Sequence, residues 1–236
     1  MPQQLTLRTI DRDAWKVERK RALQYIRDHA AVYRGFAENI CPDLSEPEHI
    51  WRRVAFAILS SRERFPSGCS AYQILKGFGS SKLASLSPEC LSASLKAAGI
   101  VYHRSKAQYL LEMTRAFLEH AGGPWLKRDM ETWPAYAERL EAIPGLGITK
   151  ARFLACLLYP MRADLACLDT WITKFFIRKG GIALSRTTYT RLERHLSHWG
   201  RVAGVSTFSA QWMVWDCVRG SRQDHSVLAE GGGIHG

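Results

Sequence analysis

The sequence predicts an all-α protein. Three observations carry that expectation: apolar residues recur at intervals of three and four in almost every segment, no sustained period-two run or hairpin-paired strand pattern occurs, and Gly122, Gly123 and Pro124 break the chain between periodic segments. No internal repeat is visible.

Residues 11–40 set Trp15, Ala22, Tyr25, Ile26 and Tyr33 on one side and Arg12, Lys16, Arg19, Lys20 and Arg27 elsewhere, which makes an amphipathic helix with a basic face. Residues 47–61 make a second helix that buries Ile50, Val54, Ala57 and Ile58. A short helix over 71–76, a segment at 85–98 and a long helix over 104–119 follow. In the long helix Ala107, Leu110, Leu111, Thr114, Phe117 and Leu118 form a regular stripe. Tyr136, Leu140 and Ile143 end a helix just before Pro144, and Ala151, Leu154, Leu157 and Leu158 line another that begins near Ile148. Later helices are expected over 170–179, 186–199 and 207–219. The closing Glu-Gly-Gly-Gly-Ile-His-Gly, residues 230–236, reads as a flexible tail.

Composition narrows the class of partner. Lys and Arg number 33 against 22 Asp and Glu, a formal charge of +11, which suits a surface that neutralises phosphates and favours DNA over an acidic protein. Eight Trp and 46% hydrophobic residues exclude a disordered chain. The six cysteines, at 41, 69, 90, 156, 167 and 217, contain no C-x-x-C pair, so neither zinc nor an iron-sulfur cluster is expected. With no signal peptide and no apolar run of membrane-spanning length, the expected setting is the cytoplasm, without a membrane partner.

Residues 143–150, Ile-Pro-Gly-Leu-Gly-Ile-Thr-Lys, join two predicted helices. Gly145 and Gly147 allow a tight turn with φ > 0 and close approach by another molecule. The second helix presents its unpaired N–H groups and positive dipole end at that turn, a ready site for phosphate. Lys150 in its first turn opposes the dipole, which an anion nearby would explain. Asp169, in Cys-Leu-Asp-Thr-Trp, stands at a predicted helix start where it can cap the next helix and also serve chemistry.

Together these residues resemble the helix-hairpin-helix DNA glycosylase superfamily, named for its hairpin, its Gly/Pro loop and its downstream aspartate. Pro144, Gly145, Gly147 and Asp169 match that signature; Ile58-Leu59-Ser60-Ser61-Arg62 is similar to its Leu-Ser segment, and Ala98 to Ala107 to its "GLY-x-x-KA" helix start. The resemblance implies two helical lobes with a cleft between them: a six-helix barrel-like domain over 50–160 containing the hairpin, and a second lobe from 1–49 with 161–229. It implies a flipped-out base, Asp169 as the catalytic group, and Ser60 and Trp171 at the base pocket. DNA would be held by Gly145, Gly147, Thr149, Lys150, Arg62, Arg64, Arg104 and Lys106. The family also admits a monovalent cation on the hairpin carbonyls; no side chain here demands a metal, and no other cofactor is expected.

Two departures bear on the reaction. Strand-cutting members carry a lysine two residues after the second glycine, where this chain has Thr149; Lys150 is turned about 100° away round the helix, toward the DNA backbone. The Leu-Ser segment continues as Ser61, Arg62, Glu63 and Arg64, without the usual gap-filling Gln or Asn. Gly-Leu-Gly-Ile-Thr-Lys-Ala-Arg-Phe with Cys-Leu-Asp-Thr-Trp also resembles the phage amino acid:DNA transferases of thymine hypermodification. The leading expectation is therefore a DNA-base-modifying transferase that replaces the phosphate of 5-phosphomethyl-uracil with an amino acid amine, using a free amino acid as co-substrate in a host cytoplasm. The alternative is a monofunctional DNA N-glycosylase, and a second alternative a non-catalytic DNA-binding relative.

Overall fold

The computed structural model describes residues 12–63, 65–120, 123–177, 184–220 and 228. Among them it contains helices and no strands: α1 Arg12–Asn39, α2 Pro47–Leu59, α3 Phe65–Phe78, α4 Ser80–Ala84, α5 Pro88–Ala97, α6 His103–Glu119, a 3-10 turn at Gly123–Trp125, α7 Trp133–Leu140, α8 Ile148–Leu158, α9 Thr170–Ile177, α10 Arg186–Ala203 and α11 Thr207–Arg219. None of these helices is long and apolar enough to cross a membrane.

The chain divides into two compact units, Ile40–Tyr159 with Ser226–Gly236, here called the hairpin unit, and Met1–Asn39 with Pro160–His225, here called the terminal unit. Residues 40–49, expected with the terminal lobe, thus cluster with the hairpin unit. The expected tail at 230–236 lies outside the described residues.

In the hairpin unit α2 is the central helix. Its periodicity suggested one buried stripe, yet Trp51, Arg53, Ala55, Phe56 and Leu59 are buried along with Ile50, Val54, Ala57 and Ile58. A helix covered on all sides has no polar face to keep, and α3, α6 and α8 pack around this one. Two of its buried side chains bond to neighbouring segments: the Trp51 indole donates to Thr114 Oγ1 on α6 at 2.9 Å, and Arg53 donates to the carbonyls of Ile40 at 2.6 Å and Leu228 at 2.7 Å. The segment expected at 85–98 contains one helix, α5, and a separate short helix, α4, precedes it. α5 starts at Pro88 behind the Ser87 cap, and α4 lies ahead of it with its start capped by Glu48 of α2, which accepts from Ser80 N at 3.0 Å.

In the terminal unit α1 packs on α11 and α10. Ala22, Ile26, Tyr33 and Ala37 are its buried stripe, and every residue of α11 from Thr207 to Cys217 is buried. Tyr33 donates its hydroxyl to the buried Asp216, Arg21 donates to Cys217 O at 3.1 Å, and Ser209 Oγ donates to Tyr33 O at 3.0 Å. α10 is strongly two-faced: Tyr189, Leu192, Glu193, Leu196 and Trp199 turn inward, while Arg191, Arg194, His198 and Arg201 are exposed.

Candidate nucleic-acid interface and base-chemistry site

The hairpin is anchored by its own apolar residues. Ile143 and Leu146 are buried on either side of Pro144 and Gly145, and Leu146 N donates back to Ile143 O at 3.0 Å. Proline followed by a glycine at φ +86 closes this as a type II turn. A Cβ on Gly145 would stand 3.0 Å from Cδ2 of Tyr109. Gly147 differs from the expectation: its φ is −92, open to any residue, and a Cβ there would meet nothing within 4 Å. It caps α8 without any side-chain hydrogen bond, so the helix start is presented by bare backbone.

Lys150 does not reach outward as expected. Its Nζ donates to Ser60 Oγ at 2.8 Å and lies 4.8 Å from the Phe153 ring centroid. Ser60 is the C-cap of α2, so the ammonium serves the negative end of that helix rather than merely opposing the dipole of its own. Lys106 belongs to the same group and needs a firmer correction. It was expected on the DNA surface, but it is 4% exposed, donates to Leu59 O at 2.9 Å and forms a 2.7 Å ion pair with Glu63. Burial pulls its pKa down, Glu63 opposes that, and Lys150 adds to it. Glu63 also accepts from Val101 N at 2.7 Å, tying the end of α2 to the start of α6.

Of the remaining expected DNA contacts, Thr149 is half-buried and Arg104 exposed. Arg64 lies outside the described residues. Arg62 is exposed, holds φ +56, and sets its guanidinium 5.4 Å from the ring centroid of Tyr102, itself exposed with φ +53. Within the 98–107 motif sequence reading assigned Tyr102 no role of its own, and its meeting with Arg62, forty residues earlier, is visible only in three dimensions.

Asp169 lies in the terminal unit and does cap α9. Its Oδ1 accepts from the backbone N–H of Trp171 and of Ile172, each at 2.9 Å, and its Oδ2 accepts from the Trp215 indole at 2.9 Å. Both oxygens are thus aimed while the group stays half-buried. Trp171, the expected pocket aromatic, is 41% exposed, with Lys174 Nζ 5.1 Å and Arg219 Cζ 5.8 Å from its ring centroid; Arg219 also sits 4.3 Å from that of Trp215. Trp215 and Arg219 were not singled out in the sequence, because α11 reads there as plain core. The described residues contain no group of three or more His, Cys, Asp or Glu able to hold a metal.

The family model for Ogg-HhH, 8-oxoguanine DNA glycosylase, matches residues 37–205, a span that contains the hairpin and Asp169. The chain belongs to this family. No curated protein is matched by the chain. Among solved structures, this Ogg-HhH chain is similar to the 8-oxoguanine DNA glycosylase of Thermotoga maritima, with 20% identity, a TM-score of 0.68 and coverage of 89% of this chain and 99% of that one. It is similar also to the 8-oxoguanine DNA glycosylase of Methanocaldococcus jannaschii, with 18% identity, a TM-score of 0.69 and coverage of 90% and 98%. A second structure from that organism, an 8-oxoguanine glycosylase/lyase in complex with a 15mer DNA containing 8-oxoguanine, gives 18% identity, a TM-score of 0.61 and coverage of 89% and 92%. The fold is therefore the helix-hairpin-helix DNA glycosylase fold. The superfamily resemblance holds; the phage branch is not what these comparisons return.

Proposed function

We propose that the protein is a monofunctional DNA N-glycosylase that releases an oxidised purine, of the 8-oxoguanine class, from a flipped-out nucleotide. The observation that carries this reading is Asp169: a carboxylate with both oxygens oriented by N–H donors, beside an exposed tryptophan, in a chain of the Ogg-HhH family. The C1′–N9 bond breaks with its electron pair leaving on the base, the carboxylate stabilises the cationic sugar, and water adds to C1′ while Asp169 takes its proton. Trp171 offers a face on which a base can stack. The bare start of α8 and the hairpin backbone suit phosphate oxygens.

Thr149, at the position of the strand-cutting lysine, and Lys150, engaged with Ser60, support excision without β-elimination. The transferase expectation, and the amino acid co-substrate with it, gives way to the glycosylase alternative because the matched family and structures are glycosylases. A DNA substrate keeps the cytoplasm as the expected setting.

The test is incubation with duplexes that are plain or carry 8-oxoguanine, uracil or phosphomethyluracil, followed by nucleoside mass spectrometry. Free 8-oxoguanine with an intact, alkali-sensitive strand is expected, and borohydride should trap no protein–DNA adduct. Mass gained on phosphomethyluracil with no base release would return the transferase reading.

A further inference from the structure

The extended segment from Asp164 to Asp169 is held from both sides by polar side chains spaced one helical turn apart. On α10 these are Tyr189, Glu193 and Ser197; on α11 they are Thr207, Gln211 and Trp215. Asp164 accepts from Ser197 Oγ and from Thr207 Oγ1, the latter at 3.1 Å. Further along, Ala166 N donates to Glu193 Oε1 at 2.8 Å, and Cys167 N donates to Gln211 Oε1 at 2.6 Å. Leu168 N donates to Tyr189 Oη at 2.9 Å, and that hydroxyl donates in turn to Ala166 O at 2.9 Å. The last rung is Trp215 Nε1 on Asp169 Oδ2 at 2.9 Å. Glu193, Gln211, Ser197 and Thr207 are each at most 6% exposed, and Tyr189 is 2% exposed.

A segment with no sheet partner would leave these N–H groups orphaned in the core. Capping one helix needs only one carboxylate oxygen, yet the second oxygen of Asp169 has its own donor. We infer that this two-sided ladder is a positioning device for Asp169, with Trp215 the positioning residue that fixes the second carboxylate oxygen. The inference rests on the glycosylase reading for its kinetic consequence, though not for its structural one. Of the charged or titratable groups on the elements around the segment, Tyr189 and Glu193 on α10 bond to it, Lys174 on α9 and Arg219 on α11 stand against the ring of Trp171, and Asp164 and Cys167 lie within it; α10 also carries Arg186, Arg191, Arg194, His195, His198 and Arg201, and α11 Asp216 and Cys217.

The full chain carrying Trp215→Phe keeps an aromatic ring and loses the donor. Single-turnover release of 8-oxoguanine should slow about tenfold with DNA affinity unchanged, and the acid limb of its pH–rate profile should move to higher pH. Glu193→Gln keeps the acceptor for Ala166 N and should hold the wild-type rate, whereas Glu193→Leu should lose it. Equal rates and profiles in wild type and Trp215→Phe would overturn the inference. An activity-independent readout is the Trp215 indole N–H resonance. It should shift with acid titration in the wild type and not in Asp169→Asn; an indole blind to that titration overturns the ladder. If wild type releases no base while the indole titrates as expected, the glycosylase reading fails and the ladder stands.

Discussion

At Asp169 one side chain caps α9 and, on the proposed glycosylase reading, also serves the chemistry, and the two can be separated by substitution. Asparagine keeps an oxygen for the Trp171 and Ile172 N–H groups but turns an amide NH2 toward the Trp215 indole, donor against donor. Asp169→Asn should therefore lower base release by about 10²- to 10⁴-fold while costing only about 1 kcal/mol of stability, checked by single-turnover kinetics beside thermal unfolding. Retained activity would remove Asp169 from the chemistry. The capping role was legible, because Asp before Thr-Trp-Ile is a helix-start pattern; the Trp215 partner was not, since it comes from 46 residues away. Lys106 shows the same limit. As a lysine in a first turn it looks like a surface cation, and only the fold brings Glu63 and the Leu59 carbonyl to it.

At the scale of the element, the hairpin glycines should respond in opposite ways. Gly145→Ala places a side chain at φ +86 and a Cβ 3.0 Å from Tyr109, so a loss of about 1–3 kcal/mol is expected in denaturant unfolding, with DNA affinity falling only as the fold does. Gly147→Ala fits its backbone and meets open space, so stability should stay within about 0.5 kcal/mol. Its DNA affinity should drop, by about tenfold in a titration, because a methyl then stands where a phosphate approaches. Unchanged affinity would remove Gly147 from the interface. From the last turn of α7, Arg139 donates to both oxygens of Glu131, which lies just ahead of that helix, at 2.9 and 2.8 Å. Chiefly through that contact, the Glu131 carboxyl is held down at about 2, from an ordinary 4.5. A native carboxyl that binds its proton less readily than the unfolded one stabilises the fold above pH 4.5 and loses that contribution as pH falls toward 2. Thermal melts across that window should show Glu131→Gln with a shallower acid loss, by at most about 1 kcal/mol for a half-buried, solvent-screened pair. Helix positions were legible wherever an apolar stripe ran for several turns. α4 was not, because five residues carry no period and its cap is Glu48, on another helix.

For the whole molecule, a formal charge of +11 and the exposed Arg191, Arg194, His198 and Arg201 along α10 call for binding governed by counterion release. Three neutralised phosphates would weaken binding about 40-fold between 50 and 200 mM monovalent salt. A nearly salt-independent affinity for undamaged duplex would contradict a phosphate-led interface. The all-α class was legible because it depends only on periodicity, and the family because its hairpin and aspartate are contiguous strings. The reaction was not, since one superfamily scaffold carries different chemistries and the sequence differences that separate them are few. The ladder behind Asp169 was hidden for a related reason: polar residues four apart on α10 and α11 look like ordinary helix faces until the segment between them is placed.

The pairing of distant parts of the chain also sets an order of events during synthesis. α1 emerges long before α11, on which it packs, and Arg53 in the core of the hairpin unit waits for the carbonyl of Leu228. The terminal unit cannot close until α11 has left the ribosome. The apolar side of α1, with Ala22, Ile26, Tyr33 and Ala37, stays uncovered until α10 and α11 have been made, so this chain should depend more on chaperones than one whose contacts are local.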